Sequence, residues 1–464
     1  MRWHLYSAGL LLYGLGMVAL GVIILVQGNV VLTYAALIGG IVICAHAIHC
    51  FINYFSKNGN NQTKHDNSAL ITGIFNLAAG IIVMILPDLT MFLLIKIFAL
   101  YVLLNAAVKL IDFVIARKNH VSGRVYDFIA FIFFLAFGVI LLFTNELNKK
   151  AFLILAGVYC IAYGVSQLND FVVKIIPQRT KNRFRRRIRV SGPVFISTFM
   201  PLSFMKKINS MLDEKMDRTE AINNFEKELD SKNDGLPPDI EVLIHVSGDG
   251  VGTFGHCDLC FEGEIISYGN YDEESYKLAR GLGDGIFFTC EKKRYIRFSV
   301  THDHKTIFCY GLRLTPEQKE RVRKEIQKIK DSVFPWQPPY EKALAEGKDA
   351  KLADFPDYCS KLWNGTRSHF YKFYDGKFKT YFVCSTNCVL LADSILGKTG
   401  SDIVKIDGLI APGTYFDYMQ REYLMKDSFV ISRTIYNKDN TERLPDEDSW
   451  YVDGKGKNGK DRID

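Results

Sequence analysis

Six long apolar runs fill the first 176 residues, at about 7–27, 31–55, 69–86, 91–115, 127–143 and 151–176. Each approaches the ~20 residues that carry a helix across ~30 Å of hydrocarbon. Inside lipid every backbone N–H and C=O must be paired within the protein, which leaves only helices and closed barrels. Runs this long and this continuously apolar specify helices, so the N-terminal region reads as an all-α polytopic bundle. The first run lacks a small-residue cleavage site and is followed by further runs, which fits a retained helix rather than a signal peptide.

The runs repeat. Ala19-Leu20-Gly21-Val22-Ile23-Ile24, Ala78-Ala79-Gly80-Ile81-Ile82-Val83 and Ala136-Phe137-Gly138-Val139-Ile140-Leu141 recur 59 and 58 residues apart. Each is followed by a short tip and a second apolar run, and the three second runs end in stretches bearing Phe51, Phe113 and Phe171. This period predicts three helical hairpins, with small residues letting neighbouring helices approach closely. In its hairpin pattern and glycine placement the region resembles the HdeD-like family of small bacterial membrane proteins linked to acid resistance. The resemblance implies a membrane stress or channel-like role.

Charge sets the expected orientation. The second and fourth connections carry Lys57, Lys64, Arg117, Lys118 and Arg124, whereas the first and third carry no Lys or Arg and the fifth holds Lys149 and Lys150 beside Glu146. Arg179, Lys181, Arg183, Arg185, Arg186, Arg187 and Arg189 follow the sixth run. Both termini and the C-terminal domain are therefore expected on the cytoplasmic side of the inner (cytoplasmic) membrane. The formal net charge of +7 is about the size of this one basic cluster. Its placement favours anionic lipid, at ~1 kcal/mol per charge, over a nucleic-acid partner; a plain topology signal explains it equally well. Among ionisable residues at depth, Lys96, Lys109, Asp112 and Asp170, the Lys109–Asp112 spacing predicts a pair on one helix face. Packing and anchoring are favoured over a conduction path.

Residues 177–238 read as a basic juxtamembrane segment, an interfacial stretch at 191–208 interrupted by Pro193 and Pro201, an amphipathic helix at 211–229 and a linker at 233–238. From 239 to 436 the pattern is α+β, and 437–464 is a polar tail. Strands are expected at 240–246, 255–261, 264–268, 286–290, 296–301, 306–312, 370–373 and 379–383. Pro316 opens a helix running to about 333, and a further helix begins at Cys388. The ten cysteines show no disulfide framework. Cys257 and Cys260 lie on one strand facing opposite sides, so no structural metal is expected, and no cofactor is called for. His302-Asp303-His304 fits an exposed hairpin tip between two strands, and His245 reads as structural.

Chemistry gathers at two short motifs. Tyr381-Phe382-Val383-Cys384-Ser385-Thr386-Asn387-Cys388 delivers Cys388 to a helix start, where the helix terminus and a nearby imidazole favour the nucleophilic thiolate. Cys384 is a rival placed within a strand. On the strand 255–261, alternation sets His256, Asp258 and Cys260 on one face. In this reading His256 moves the proton, Cys388 attacks a carbonyl, and Asp258, Ser267 or Asn270 orients the imidazole. Histidine on a strand before Asn-Cys at a helix start resembles the circularly permuted papain-like fold of the NlpC-type peptidases, lecithin:retinol acyltransferase-like enzymes and Lnb-type transacylases. That resemblance, over about 240–435, implies a cysteine peptidase, amidase or acyltransferase acting on a peptide, amide or lipid-linked acyl substrate. It implies His256 as base and Cys388 as nucleophile, with no second histidine in 263–272. The competing expectation is a non-enzymatic membrane protein whose soluble domain only binds, and a homo-oligomer is a further option.

Overall fold

The computed structural model describes residues 2–57, 67–143, 146–175, 237–246, 255–399, 412–423 and 428–436. The basic cluster 179–189, the stretch 191–208, the helix at 211–229, most of the linker and the tail lie outside them. The chain divides into two compact units, one of residues 5–111 and 125–177, the other of 1–4, 112–124 and 178–464.

The first unit is helical: α1 (Arg2–Lys57), α2 (Asn67–Ile85), α3 (Pro87–Lys118), α4 (Arg124–Phe143) and α5 (Glu146–Ile175). Four helices are long and apolar enough to cross a membrane, and Leu70–Ile85 is a shorter apolar helix. α1 is broken at Gln27, whose backbone leaves the helical region (φ −132°, ψ 42°). Only Leu86 separates α2 from α3. Gln27 and Leu86 stand 59 residues apart, the same period as the glycine motifs. Large apolar side chains such as Val26, Phe75, Ile97 and Phe133 are more than half exposed along these helices. A soluble protein does not tolerate so broad an apolar surface; lipid satisfies it, and the chain is a multi-pass membrane protein.

The repeat glycines mark where helix backbones meet. A Cβ on Gly21 would lie 2.6 Å from the carbonyl oxygen of Gly157, and one on Gly80 would lie 2.9 Å from that of Gly40. One on Gly138 would lie 2.7 Å from Leu103. The first half of α1 thus packs on α5, its second half on α2, and α3 on α4. These tightest contacts join helices of different repeats rather than the two arms of one hairpin. Lys109, expected to pair with Asp112, reaches Asp127 on α4 at 3.2 Å. Lys96 donates to the carbonyl of Leu142 at 2.6 Å, near the end of α4. Both lysines are thereby occupied in helix packing.

The second unit contains an eight-stranded antiparallel sheet: β1 (Ile240–Val246), β2 (His256–Phe261), β3 (Glu264–Gly269), β5 (Ile286–Glu291), β6 (Thr306–Leu312), β7 (Val333–Trp336), β8 (His369–Phe373) and β10 (Val430–Tyr436). Their order is β10-β6-β1-β2-β3-β5-β8-β7, and β4 (Leu282–Asp284) pairs separately with β9 (Thr380–Phe382). The helices are α6 (Lys292–Thr301), α7 (Pro316–Lys330), α8 (Pro339–Ala345), α9 (Tyr358–Thr366), α10 (Cys388–Leu396) and α11 (Pro412–Tyr423). Central strands are buried on both faces, which is why they read as near-continuous apolar runs. One face carries Val242, Ile244, Leu259, Ile266 and Phe308 against α7, α10 and α11. The other carries Leu243, Ile265, Phe288 and Ile307 against α6 and α9. Truncating any of these fully buried side chains to Ala costs on the order of 2–5 kcal/mol.

One element differs from expectation. The stretch 296–301 is helix, not strand: α6 buries Tyr295, Ile296, Phe298, Ser299 and Val300. Lys292, Lys293, Arg294 and Arg297 leave its other side polar, a helical period that the short apolar cluster concealed. His302-Asp303-His304 consequently ends a helix rather than a hairpin, with His302 stacked on Phe298 at 4.7 Å. α7 forms as its capping box dictates: Thr315 accepts from Gln318 N, the Gln318 side chain returns a bond to Thr315 N, and Pro316 stands at the first turn.

Candidate active site

Asn387 begins α10 from an extended backbone. Its side-chain oxygen accepts from Leu390 N at 3.2 Å, while its amide donates to the carbonyl of Val383 at 3.0 Å. This cap fixes Cys388 as the first helical residue, where backbone N–H groups have no intrahelical acceptor. Cys388 is only 4% exposed. Cys384 lies not in a strand but in the turn after β9, and burial followed by the charge of Asp112 pushes its thiol pKa up.

His256 starts β2. Gly255 before it has φ +83°, and a side chain there would crowd His245 O at 3.1 Å and Pro412 at 3.2 Å. β2 pairs with β3 only over Leu259–Phe261, so His256 and Asp258 lie beyond the ladder they share. Ser267 on β3 and Tyr271 fill this opening: their hydroxyls lie 3.2 Å and 3.1 Å from His256 Nε2. Asp258 Oδ1 is closer, at 2.8 Å from the same nitrogen. The His256 side chain is 21% exposed and that of Asp258 fully buried.

Asp258 is held on both oxygens. Tyr295 donates to Oδ2 at 2.6 Å, and His245 Nε2 lies 3.0 Å from that same oxygen. His245 faces His256 directly across the β1–β2 ladder. These contacts order the protonation states. Burial pushes the Asp258 carboxyl up, but the His256 charge outweighs it, with hydrogen bonds from both imidazoles, and the carboxyl stays well below the usual range. Burial dominates at His245 and lowers its pKa despite Asp258. Burial also pulls His256 down, but Asp258 and then the Cys388 thiol, each by charge and hydrogen bond, carry it up to about 10. At neutral pH the arrangement is a carboxylate between a neutral His245 and a charged His256, with the Cys388 sulfur against the imidazolium.

Of the sequence-derived candidates, Cys388, His256, Asp258 and Ser267 meet here. Asn270 does not join them: its side-chain amide donates to the carbonyl of Arg280 at 2.9 Å, and its backbone carbonyl accepts from Tyr276. It organises the 270–284 loop instead. Sequence reasoning missed Tyr271 and Tyr295 and read His245 as structural. The strand register was the available signal, since pairing 240–246 with 256–261 sets His245 opposite His256. Cys257 and Cys260 enter different cores on opposite faces of the sheet, and no group of three or more His, Cys, Asp or Glu side chains suited to a metal occurs among the described residues.

No curated protein and no solved structure matches the chain. Residues 12–65 and 71–143 match the family model described as a short repeat of unknown function (DUF308), which fits the HdeD-like pattern of the helical region and its place in the membrane.

Proposed function

We propose that the chain is a membrane-anchored thiol enzyme that cleaves or transfers an acyl group at an amide, ester or thioester. The observation that carries this reading is the Asp258–His256–Cys388 chain at a helix start. Cys388 Sγ attacks the carbonyl carbon as the thiolate, its proton held on the His256 imidazolium, and forms a C–S bond as the C–N, C–O or C–S bond to the leaving group breaks. The His256 imidazolium gives its proton to the departing nitrogen, oxygen or sulfur. Neutral imidazole then takes a proton from water, or from an acceptor hydroxyl or amine, as that group displaces the thiolate and releases the acyl product. Backbone N–H groups at the start of α10 are suited to the oxyanion. Asp258 keeps the ring oriented and charged, as the third member of a triad does. Six helices crossing as three hairpins, with the sheet domain and both termini on the cytoplasmic side of an inner membrane, complete the proposal. Arg179–Arg189 would lie against anionic lipid.

The repeat match favours a second reading: an HdeD-like membrane stress or channel-like protein whose sheet domain binds rather than catalyses. The two separate in one experiment. Cells carrying the full chain are treated with membrane-permeant and impermeant thiol-directed activity probes, and labelling is read at the Cys388 peptide. The enzyme reading expects permeant-only labelling, abolished in Cys388→Ala and reduced at least tenfold in His256→Ala. Labelling of Cys388 that ignores His256 sinks it in favour of the binding module; labelling by the impermeant probe overturns the cytoplasmic placement.

A further inference from the structure

The turn that delivers Cys388 is held by residues remote from it in sequence. α3 ends at a left-handed His120 (φ 50°), with Val121 N bonded back to the carbonyl of Ala116 at 2.9 Å. This closure is typical of a helix C-terminus, and it presents Asn119 in a fixed pose. Asn119 is 1% exposed. Its side-chain amide donates to Thr380 Oγ at 2.9 Å, and its backbone carbonyl accepts from Gly376 N at 3.2 Å. It therefore touches both ends of the segment leading into β9. About two turns earlier on α3, Asp112 Oδ1 accepts from Ser385 Oγ at 2.5 Å, the length of a charge-assisted O–H···O⁻ bond. Ser385 lies between β9 and Asn387. Residues 112–124 fall in the same compact unit as the sheet.

We infer that Asp112 and Asn119 are positioning residues for Cys388, bracing the 376–387 segment so that the Asn387 cap sets the thiol on His256. This rests on the thiol-enzyme reading for its consequence but not for its geometry. The segment from Gly376 to Asn387 contains only a 3-10 turn at Lys377–Lys379 and the three-residue β9. Tyr268, Gly281 and Gly285 bond to it at Phe378, Val383 and Lys379; Asn119 adds a hold at its start and Asp112 one at its end.

The test uses the full chain in detergent micelles with Cys384→Ser as background. Two quantities are read for Asp112→Ala, Asp112→Asn, Asn119→Ala, Ser385→Ala and the Asp112→Ala/Ser385→Ala double variant. These are amide exchange across 376–388 and the pH profile of Cys388 alkylation by iodoacetamide. The brace predicts exchange at least tenfold faster in the alanine variants and slower Cys388 alkylation at pH 7. The alkylation profile should approach that of His256→Ala, and Asp112→Asn, which still accepts from Ser385, should restore part of both. The double variant should match either single one, the mark of residues acting through each other. Unchanged exchange overturns the brace, and faster exchange with an unmoved alkylation profile overturns its positioning role. His256→Ala is run alongside: if it leaves Cys388 unaltered while Asp112→Ala does not, the dyad falls and the brace stands.

Discussion

Replacing Asp258 by Asn tests the electrostatic core of the site with almost no change of shape. Asp258 sits 2.8 Å from His256 Nε2 and is the leading influence that lifts that imidazole to about 10 against the pull of burial. The ordinary histidine value is about 6.5, and the gap corresponds to roughly 5 kcal/mol of preference for the charged ring. Asn keeps the volume and removes the charge. Burial then acts with only Cys388 opposing it, and the His256 pKa should fall from about 10 to near or below neutrality. Histidine labelled at Cε1 and followed by NMR in micelles reads this directly, with His256→Ala and His245→Ala supplying the assignments. The wild-type signal should stay in its protonated position through pH 8 and titrate near 10, while that of Asp258→Asn should titrate in the neutral range. A variant ring still protonated at pH 9 would refute the assignment of Asp258 as the source of the charge.

Stability gives an independent reading of the same pair. A raised folded pKa at His256 means its contribution is complete below about 6.5 and is lost as pH climbs through about 10. A depressed folded pKa at Asp258 means the opposite: its contribution is complete above the unfolded value near 3.9 and is lost as pH falls below it. The wild type should therefore lose melting temperature toward both extremes, and Asp258→Asn should show a flatter alkaline limb. Removing one partner of a buried pair costs on the order of 3–5 kcal/mol, so its plateau should also be lower. Equal alkaline slopes in the two proteins would contradict the pairing.

Two further substitutions probe backbone geometry. Gly255→Ala forces a side chain into left-handed backbone at about 1–2 kcal/mol and against His245 O; it should lower the melting temperature and reduce Cys388 labelling together, and a neutral result would mean the β2 entry is not fixed as described. Gly80→Leu drives a side chain into the Gly40 carbonyl and Cys44 and should collapse the monodisperse detergent peak on heated size-exclusion chromatography, whereas Gly16→Ala, with open space around it, should leave the peak unchanged.

Most strands of the sheet domain were legible because burial on both faces or strict alternation leaves a strong apolar signature, as in 240–246 and 306–312. The α6 stretch failed because Ile296-Arg297-Phe298-Ser299-Val300 alternates like a strand, and only the longer window from Lys292 shows the helical spacing. β10 was missed because only Val430 and Ile435 of its apolar side chains are buried in a mostly polar stretch, and α11 because its buried Tyr415, Phe416, Met419 and Tyr423 are scattered among polar residues. In the membrane the period of 59 and 58 residues was plain, but pairing was not. Every arm of every repeat carries small residues, so composition alone does not tell intra-hairpin from inter-repeat contact.

The site divides along the same line. Cys388, His256 and Asp258 were readable because local rules place them: a cap residue before a helix, and alternation along one strand. Tyr295 and Tyr271 arrive from a helix and a loop, through contacts that no local pattern encodes. Asp112 is the sharpest case. Its spacing from Lys109 satisfied a helix-pair rule, yet Lys109 had a better partner on α4 in Asp127. The Asp112 carboxylate accepts from Ser385, a residue far along the chain that helix periodicity has no means of proposing. Local spacing shows which bonds a helix permits, and the tertiary structure adds partners that no spacing rule contains. At Asp112 the added partner belongs to the turn that carries Cys388.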